Sequence, residues 1–351
     1  MISLLNYLLI SESDRRGIYI QMYKKSSCFK YIFLSLLSTT LAVSSNSIQI
    51  EAKSIPREKI FRGENYGRLT NQGKLRTYYM YTPKSYNPKH AMSLVLMFHG
   101  DNGSGNSIAK ISRFNNLAEV FGFIAVYPNG LDHQWSFTGH VKQKVDDISF
   151  VAALIGHIEQ IRNINTRKIY ATGFSQGGIL TQALACKLPN KIAAFASVAG
   201  SLSARFARSC QPTVSISMMM INGTNDLSVH YHGDPITQKE ALVSIPETIN
   251  FWRRHDQCTS SSQSQHLAPT KSHNHLGVKT FRYSGCRNGS EVLQFAVVNG
   301  GHFWPGGAST DPKLNRLNIQ LGFNASKAIW SFFQHHSLST FKAVTIKKAK
   351  R

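Results

Sequence analysis

Residues 168–178 read Lys-Ile-Tyr-Ala-Thr-Gly-Phe-Ser-Gln-Gly-Gly, a strand-like run that ends in a glycine-flanked serine. The run predicts a strand, Gly173 and Gly177 permit a tight turn, and the residues from Gly178 onward predict a helix. A strand, a sharp turn and a helix in this order hold the serine Oγ at the tip of the turn, open to solvent. Because Gly-x-Ser-x-Gly occurs often by chance, the flanking strand and helix are what make Ser175 the candidate nucleophile.

Short apolar segments recur on both sides of this turn and predict a sheet. Several are almost continuously apolar, as at 94–98 and 216–221, which is typical of strands buried on both faces of a parallel sheet. The predicted strands span 76–82, 93–98, 123–127, 168–172, 194–198, 214–221 and 292–298. Helices are predicted at 150–161, 178–188, 246–255 and 325–335, and a polar surface loop at 259–275. This alternation predicts a doubly wound, mostly parallel α/β sheet flanked by helices, and the serine turn makes it an α/β-hydrolase fold.

A serine nucleophile needs a base, and chain order narrows the search for it. In this fold the order is Ser, then Asp or Glu, then His. Asp226 follows the strand predicted at 214–221, and His302 follows the strand predicted at 292–298 in a glycine-rich segment. We therefore expect Asp226 to orient His302, and His302 to take the proton of Ser175. The other acids considered are Asp234, Asp256, Asp146 and Asp147, and the last two fit helix capping better than catalysis.

The tetrahedral intermediate that a serine nucleophile forms in acyl transfer requires two preorganised N–H donors for its oxyanion. One is expected from Gln176, directly after the nucleophile. The other is expected from Asp101, in the glycine-rich loop that follows the strand predicted at 93–98. A plain glycine-rich turn is the alternative for that loop. The chemistry requires no metal and no organic cofactor.

Two tryptophans lie in loops on the same side of the predicted sheet. Trp135 and Trp304 are candidates to line a substrate groove, because flat aromatic faces suit ring-shaped ligands. Packing in the core is the equally weighted alternative for each.

Five cysteines occur, of which Cys28 lies in the N-terminal segment. The remaining four allow three pairings. Neighbours along the chain favour Cys186 with Cys210 and Cys258 with Cys286, and four free thiols are the alternative. Disulfides of this kind indicate an oxidising compartment.

The N-terminal segment predicts export. Lysines precede an apolar run at 31–43, and small residues follow at Ser44 and Ser45, which are the three parts of a signal peptide. Acidic residues before Met22 do not fit, so the true start is expected at Met22. We predict a signal peptide at 1–45, one catalytic domain at 46–340 and a basic tail at 341–351, with an uncleaved anchor as the alternative. The protein is expected to be secreted or periplasmic, and monomeric.

The chain of 351 residues is 42% hydrophobic and carries a net charge of +22. This composition excludes a disordered protein. Basic residues are spread along the chain and no nucleic-acid-binding motif occurs, so nucleic acid is not an expected partner. Weak contact with an anionic envelope surface remains open.

Several motifs occur together and in order across residues 66–333. They are His99-Gly100, Tyr127-Pro128-Asn129-Gly130, Val145-Asp146-Asp147, the 173–178 turn, Asn222-Gly223-Thr224-Asn225-Asp226, and 300–307 around His302. This set resembles the esterase family of poly(3-hydroxybutyrate) depolymerases and of feruloyl and acetyl-xylan esterases. The resemblance implies a secreted hydrolase of carboxylic esters, small or polymeric, with Ser175, Asp226 and His302 as its triad. Similar proteins usually carry a small or thiol residue where Asp101 stands here.

Two rival functions remain open at this point. One is a non-catalytic protein that binds polysaccharide or envelope on a hydrolase scaffold. The other is a peptidase or thioesterase of the same fold, because a triad does not by itself select its leaving group.

Overall fold

Residues 61–136, 145–235, 241–260, 263–267 and 277–339 are described by a computed structural model of the protein. The predicted signal peptide and the predicted basic tail lie outside these residues, and both stay predictions. In the described part of the chain, no helix is long and apolar enough to cross a bilayer.

Ten strands and eight α-helices occur in the described residues. The strands are β1 Gly63–Asn71, β2 Lys74–Thr82, β3 Met92–Phe98, β4 Phe123–Pro128, β5 Ile164–Phe174, β6 Ala194–Val198, β7 Met218–Gly223, β8 Gln263–Leu267, β9 Gly277–Tyr283 and β10 Val292–Val298. The helices are α1 Gly105–Ser112, α2 Phe114–Phe121, α3 Asp147–Ile161, α4 Gln176–Lys187, α5 Ala204–Ser209, α6 Ile245–His255, α7 Pro312–Leu321 and α8 Ala325–Phe333.

The strands form one sheet with the order β1-β2-β4-β3-β5-β6-β7-β10-β9-β8. The six strands from β4 to β10 in this order are parallel to one another. Antiparallel strands complete both edges, β2 and β1 on one side and β9 and β8 on the other. The carboxyl ends of β3, β5, β7 and β10 therefore lie along one edge of the sheet, where loops of α/β proteins carry function.

Each face of the sheet is covered by helices and has its own apolar core. On β3, Leu94 and Leu96 pack into one core with α3, α4 and α6. Val95 and Met97 point the other way and pack with α1, α2 and α8. Burial on both faces explains why the central strands are continuously apolar in sequence. The α/β-hydrolase fold predicted from the sequence is confirmed.

Most of the predicted elements exist, but three predictions need correction. The strand predicted at 214–221 begins only at Met218, because the N–H of Ile216 donates to the Asp256 carboxylate at 3.0 Å rather than to a neighbouring strand. The loop predicted at 259–275 contains the edge strand β8. The edge strand β1, its counterpart β9 next to the opposite edge, and the helices α1, α2, α5 and α7 were not predicted.

Both expected disulfides are present. Cys186, in the last turn of α4, is bonded to Cys210, which ends α5. Cys258, shortly after α6, is bonded to Cys286, which precedes β10. Each bridge closes a loop of moderate length, with sequence separations of 24 and 28 residues, and stabilises the fold by about 2–4 kcal/mol.

Candidate active site

Ser175 occupies the sharp turn between β5 and α4. Its backbone has φ 56° and ψ −120°, a conformation that costs a non-glycine residue energy and that surrounding contacts must hold. A Cβ on Gly173 would lie 2.3 Å from the carbonyl oxygen of Gly177, and one on Gly177 would lie 2.3 Å from that of Phe98. Glycine is required at both positions, as the sequence predicted.

The loops that carry Asp226 and His302 lie against each other beyond β7 and β10. A Cβ on Gly223 would lie 2.3 Å from the carbonyl oxygen of Gly300. The backbone N–H of Asn225 donates to that same oxygen at 2.9 Å. This close approach brings an acid and a histidine, 76 residues apart in sequence, to the end of β5.

The three predicted side chains form one series of hydrogen bonds. His302 Nδ1 lies 2.8 Å from Asp226 Oδ2, and His302 Nε2 lies 2.8 Å from Ser175 Oγ. With Nδ1–H donating to the carboxylate, Nε2 is left free to accept the serine proton. The geometry fits a nucleophile, a base and an orienting acid in those roles.

The Asp226 carboxylate is buried, and both of its oxygens accept hydrogen bonds from protein groups. Its Oδ1 accepts the backbone N–H groups of Ser228 at 2.8 Å and Val229 at 2.9 Å. Burial by itself raises the pKa of Asp226, but the hydrogen bond to His302 and the two backbone N–H groups outweigh it. The net pKa of Asp226 lies below its usual value, so the carboxylate is charged at neutral pH and stabilises a positive imidazolium.

A pair of backbone N–H groups is available for an oxyanion beside Ser175. Gly100 borders the nucleophile, because a Cβ placed on it would lie 3.2 Å from the Ser175 Cβ. Within the described residues, no hydrogen bond uses the backbone N–H of Asp101 or of Gln176. The Asp101 side chain is exposed and accepts from the Asn102 side chain at 2.9 Å. Its charge is therefore shared with solvent and with a neighbouring amide.

The other acids considered have structural partners. Asp234 binds the His230 ring and the backbone N–H of Leu242, each at 2.9 Å. Asp256 binds Ile216 and the ring of His255. Asp146 caps α3 as predicted, and Asp147 forms a buried ion pair with Arg76.

The expectation that Trp135 and Trp304 line a substrate groove is corrected by their burial. Trp135 is 5% exposed and Trp304 is 2% exposed. The Trp304 indole N–H donates to Ser326 Oγ at 2.9 Å, and its ring packs edge-on against Phe114 and Phe174. The Trp135 indole N–H donates to the carbonyl oxygen of His99 at 2.8 Å. Each ring has its polar atom satisfied inside the protein, which is how a core tryptophan is accommodated.

His99 supports the site in a way that the sequence did not reveal. It follows β3 directly and is buried. The backbone N–H of Gly130 donates to its Nε2 at 3.0 Å, so Nδ1 carries the proton and donates to the Gly100 carbonyl oxygen at 2.7 Å. Burial lowers the pKa of His99, which keeps the ring neutral. In the sequence, His99 stands out only by its position before a loop glycine. With fourteen histidines in the chain, this was not enough to identify it as a supporting residue.

Comparisons with known proteins indicate which family this chain is similar to. The family described as Esterase PHB depolymerase matches residues 76–231. The putative esterase NocK of Nocardia uniformis subsp. tsuyamanensis is 28% identical over 72% of this chain and 79% of its own. The bifunctional acetylxylan esterase/xylanase XynS20E of Neocallimastix patriciarum is 25% identical over 66% of this chain, which spans 31% of that protein. An acetyl xylan esterase structure from Aspergillus awamori aligns over 77% of this chain and 99% of its own, with a TM-score of 0.54 and 16% identity.

Fold and matches together define a serine hydrolase of the α/β-hydrolase fold that acts on carboxylic esters. Within that class, the chain is similar to the esterase family of poly(3-hydroxybutyrate) depolymerases and of feruloyl and acetyl-xylan esterases, the resemblance that its motifs predicted.

Proposed function

We propose that this enzyme hydrolyses carboxylic esters through Ser175, His302 and Asp226, by way of an acyl-enzyme. The observation that supports these roles is the unbroken series of 2.8 Å hydrogen bonds from Asp226 through His302 to Ser175 Oγ. The backbone of Ser175 also supports these roles, because φ 56° and ψ −120° are strained for a serine. Such strain is typical of functional sites.

In the first half of the reaction, Ser175 Oγ attacks the ester carbonyl carbon while His302 Nε2 takes the hydroxyl proton. The carbonyl oxygen becomes an oxyanion, which the N–H groups of Asp101 and Gln176 stabilise. The tetrahedral intermediate then collapses, and the bond from carbon to the alcohol oxygen breaks. His302 gives its proton to the departing alcohol, and the acyl group remains on Ser175.

In the second half, water takes the place of the alcohol. His302 removes a proton from water, and the resulting hydroxide attacks the acyl-enzyme carbonyl. The new tetrahedral intermediate uses the same two N–H donors. Its collapse returns the proton to Ser175 Oγ and releases the carboxylic acid. Throughout the cycle the Asp226 carboxylate stays ionised and holds the imidazolium.

For the substrate, we propose acyl esters of the kinds named in the relatives, which are acetylated xylan and feruloyl esters. Esters of the polyhydroxyalkanoate type form a second candidate, supported by the matching family description. A panel of p-nitrophenyl acyl esters of increasing chain length, with methyl ferulate and acetylated xylan beside it, tests this choice. Activity confined to long aliphatic acyl chains would contradict acetyl and feruloyl esters as substrates.

We further propose that the protein is exported. The signal-peptide pattern at 1–45 and the two disulfides support this, because structural disulfides persist in oxidising compartments. Secretion from the native host with a mature N-terminus close to residue 46 is the expected result. A full-length protein retained in the cytoplasm would contradict it.

The rival proposal of a non-catalytic binding protein is separated by one assay. The purified wild-type enzyme should hydrolyse p-nitrophenyl acetate or butyrate with saturation kinetics. A folded protein without turnover on every ester of the panel would favour the binding protein. Turnover of peptide or thioester substrates well above that of any ester would favour a peptidase or thioesterase.

A further inference from the structure

Trp135 contacts both segments from which the oxyanion donors come. Its indole N–H donates to the His99 carbonyl oxygen at 2.8 Å, just before the loop that carries Asp101. Its backbone N–H donates to the side-chain Oε1 of Gln176 at 2.9 Å. A single buried residue is therefore bonded to the two chain segments that flank the developing oxyanion.

We propose that Trp135 is a positioning residue that sets the geometry of the oxyanion hole. This inference rests on the proposed function, because it concerns the N–H groups of Asp101 and Gln176 acting on an ester carbonyl. Trp135 touches neither substrate nor nucleophile in this account, and acts through His99 and Gln176.

The direction of the Asp101 N–H is set by the peptide unit that it shares with Gly100. A trans peptide is planar, so the carbonyl oxygen of Gly100 and the N–H of Asp101 point in opposite directions from one rigid unit. The Gly100 oxygen is held by two donors, His99 Nδ1 at 2.7 Å and the backbone N–H of Gly103 at 3.1 Å. Whatever fixes His99 therefore fixes where the Asp101 N–H points.

His99 is held by the segment that ends in Trp135. The Gly130 N–H donates to the ring at Nε2, and the Trp135 indole N–H donates to the backbone oxygen. The Trp135 ring also lies beside the His99 ring, with 4.7 Å between centroids, and meets the Phe98 ring edge-on at 5.5 Å. These contacts hold the ring, the carbonyl group and the preceding residue of His99 at once.

Gln176 supplies the other oxyanion donor through its backbone N–H. Gln176 is the first residue of α4, so its backbone N–H has no partner within the helix. Its side chain is held by the Trp135 backbone N–H, which limits rotation of the residue that follows Ser175. Loss of that bond would leave the N–H in place but less firmly aimed.

A buried ion pair holds the backbone next to Trp135 in place. The next residue, Ser136, donates its backbone N–H to Asp147 Oδ2 at 2.5 Å and accepts the Asp147 N–H at 3.0 Å. Asp147 Oδ1 pairs with Arg76 on β2, whose guanidinium lies 3.7 Å from the centroid of the Phe150 ring. The sheet and α3 thus fix the chain at the residue after Trp135.

The test replaces Trp135 with Phe, which keeps an aromatic ring but removes the indole N–H. Misplaced donors stabilise the oxyanion of the transition state less well and hardly change binding of the ground-state ester, so kcat should fall about 10- to 100-fold with KM nearly unchanged. Trp252→Phe is the matched control. Trp252 is also buried, and its indole N–H donates to the Gln182 side chain at 2.7 Å, in the middle of α4 rather than at the oxyanion donors. The kcat of Trp252→Phe should therefore stay near wild type.

A second measurement separates positioning from a general structural role. We compare kcat/KM for an ester and for the matching thionoester, in which sulfur replaces the carbonyl oxygen. Because a thiolate-like anion accepts hydrogen bonds weakly, Trp135→Phe should lower the ester rate more than the thionoester rate and so shrink their ratio. A loss of folded enzyme would lower both rates equally.

Gln176→Leu keeps the test decisive if Trp135→Phe does not fold. It removes the acceptor of the Trp135 backbone N–H but retains the donor N–H of residue 176. The same fall in kcat and the same shrinking of the ratio are expected. Wild-type kcat in a folded Trp135→Phe or Gln176→Leu enzyme, or a fall with an unchanged ratio, would overturn the inference. Wild-type protein without any esterase activity would instead overturn the proposed function.

Discussion

Oδ2 of Asp226 lies 2.8 Å from Nδ1 of His302, while Oδ1 of the same carboxylate is occupied by two backbone N–H groups. The carboxylate therefore has one orientation, and it presents one oxygen to the imidazole. This fixes the tautomer of His302 and turns its Nε2 toward Ser175.

Replacement of Asp226 with Asn should abolish most of the activity and preserve the fold. An amide in this place presents the wrong hydrogen-bond partner to the imidazole, and kcat should fall roughly 10⁴-fold, as in other triads. Asp234→Asn is the matched control, because Asp234 binds His230 and Leu242 instead. Steady-state kinetics on p-nitrophenyl butyrate measures both. The opposite order of effects would show that Asp234 is the orienting acid.

Protonation of Asp226 at low pH should lower the free energy of unfolding. The folded pKa of Asp226 is lowered, so the unfolded chain binds more protons in acid. Its stabilising contribution is therefore present above the unfolded pKa of about 4 and is lost as pH falls through the folded pKa. Urea unfolding between pH 3 and pH 7 should show a steeper pH dependence for wild type than for Asp226→Asn. Equal slopes would mean that the pKa of Asp226 does not change on folding, and that its charge does not stabilise the folded state.

Removal of the Asp101 charge should leave catalysis nearly unchanged. Its proposed role uses the backbone N–H, and its carboxylate is exposed and bonded to Asn102. We expect Asp101→Asn to keep kcat within about twofold of wild type, as for an ordinary surface substitution. A tenfold change in either direction would place the carboxylate at the reaction centre.

The disulfides should be visible in the intact protein and should contribute to stability. Mass spectrometry of unreduced, protease-digested protein should recover Cys186 joined to Cys210 and Cys258 joined to Cys286. The double variant Cys258→Ser with Cys286→Ser should lower the free energy of unfolding by about 2–4 kcal/mol. Four free thiols in protein made in an oxidising compartment would contradict both bridges.

Local sequence was enough to predict the central fold and the meeting of Ser175, Asp226 and His302. Each of these residues lies within four residues of the end of a buried strand, and parallel strands end at one edge of the sheet, so order along the chain became proximity in space. The edge strand β1 escaped prediction because its half-buried residues alternate with exposed ones, which gives a weaker apolar pattern than the central strands show. Nor did the sequence indicate that β7 would begin late, since this depends on a bond between Ile216 and Asp256, 40 residues away.

The same limit applies to Trp135. The residue type and the loop position of Trp135 are typical of a residue that contacts substrate. Only its hydrogen-bond partners in the structure show that it belongs to the core. Its indole N–H reaches a carbonyl 36 residues away, and its backbone N–H reaches a side chain 41 residues away. Sequence spacing carries no record of such bonds, so the sequence could not decide between a substrate groove and the core for Trp135.

The most direct test of the central claim is covalent labelling of the nucleophile, read together with turnover. A p-nitrophenyl alkylphosphonate should inactivate the wild-type enzyme with one equivalent bound, and peptide mapping should find the adduct on Ser175. Ser175→Ala should remain folded, resist labelling and lose roughly 10⁴-fold or more in kcat on p-nitrophenyl butyrate. A label on another residue, or a Ser175→Ala enzyme with near wild-type turnover, would contradict Ser175 as the nucleophile.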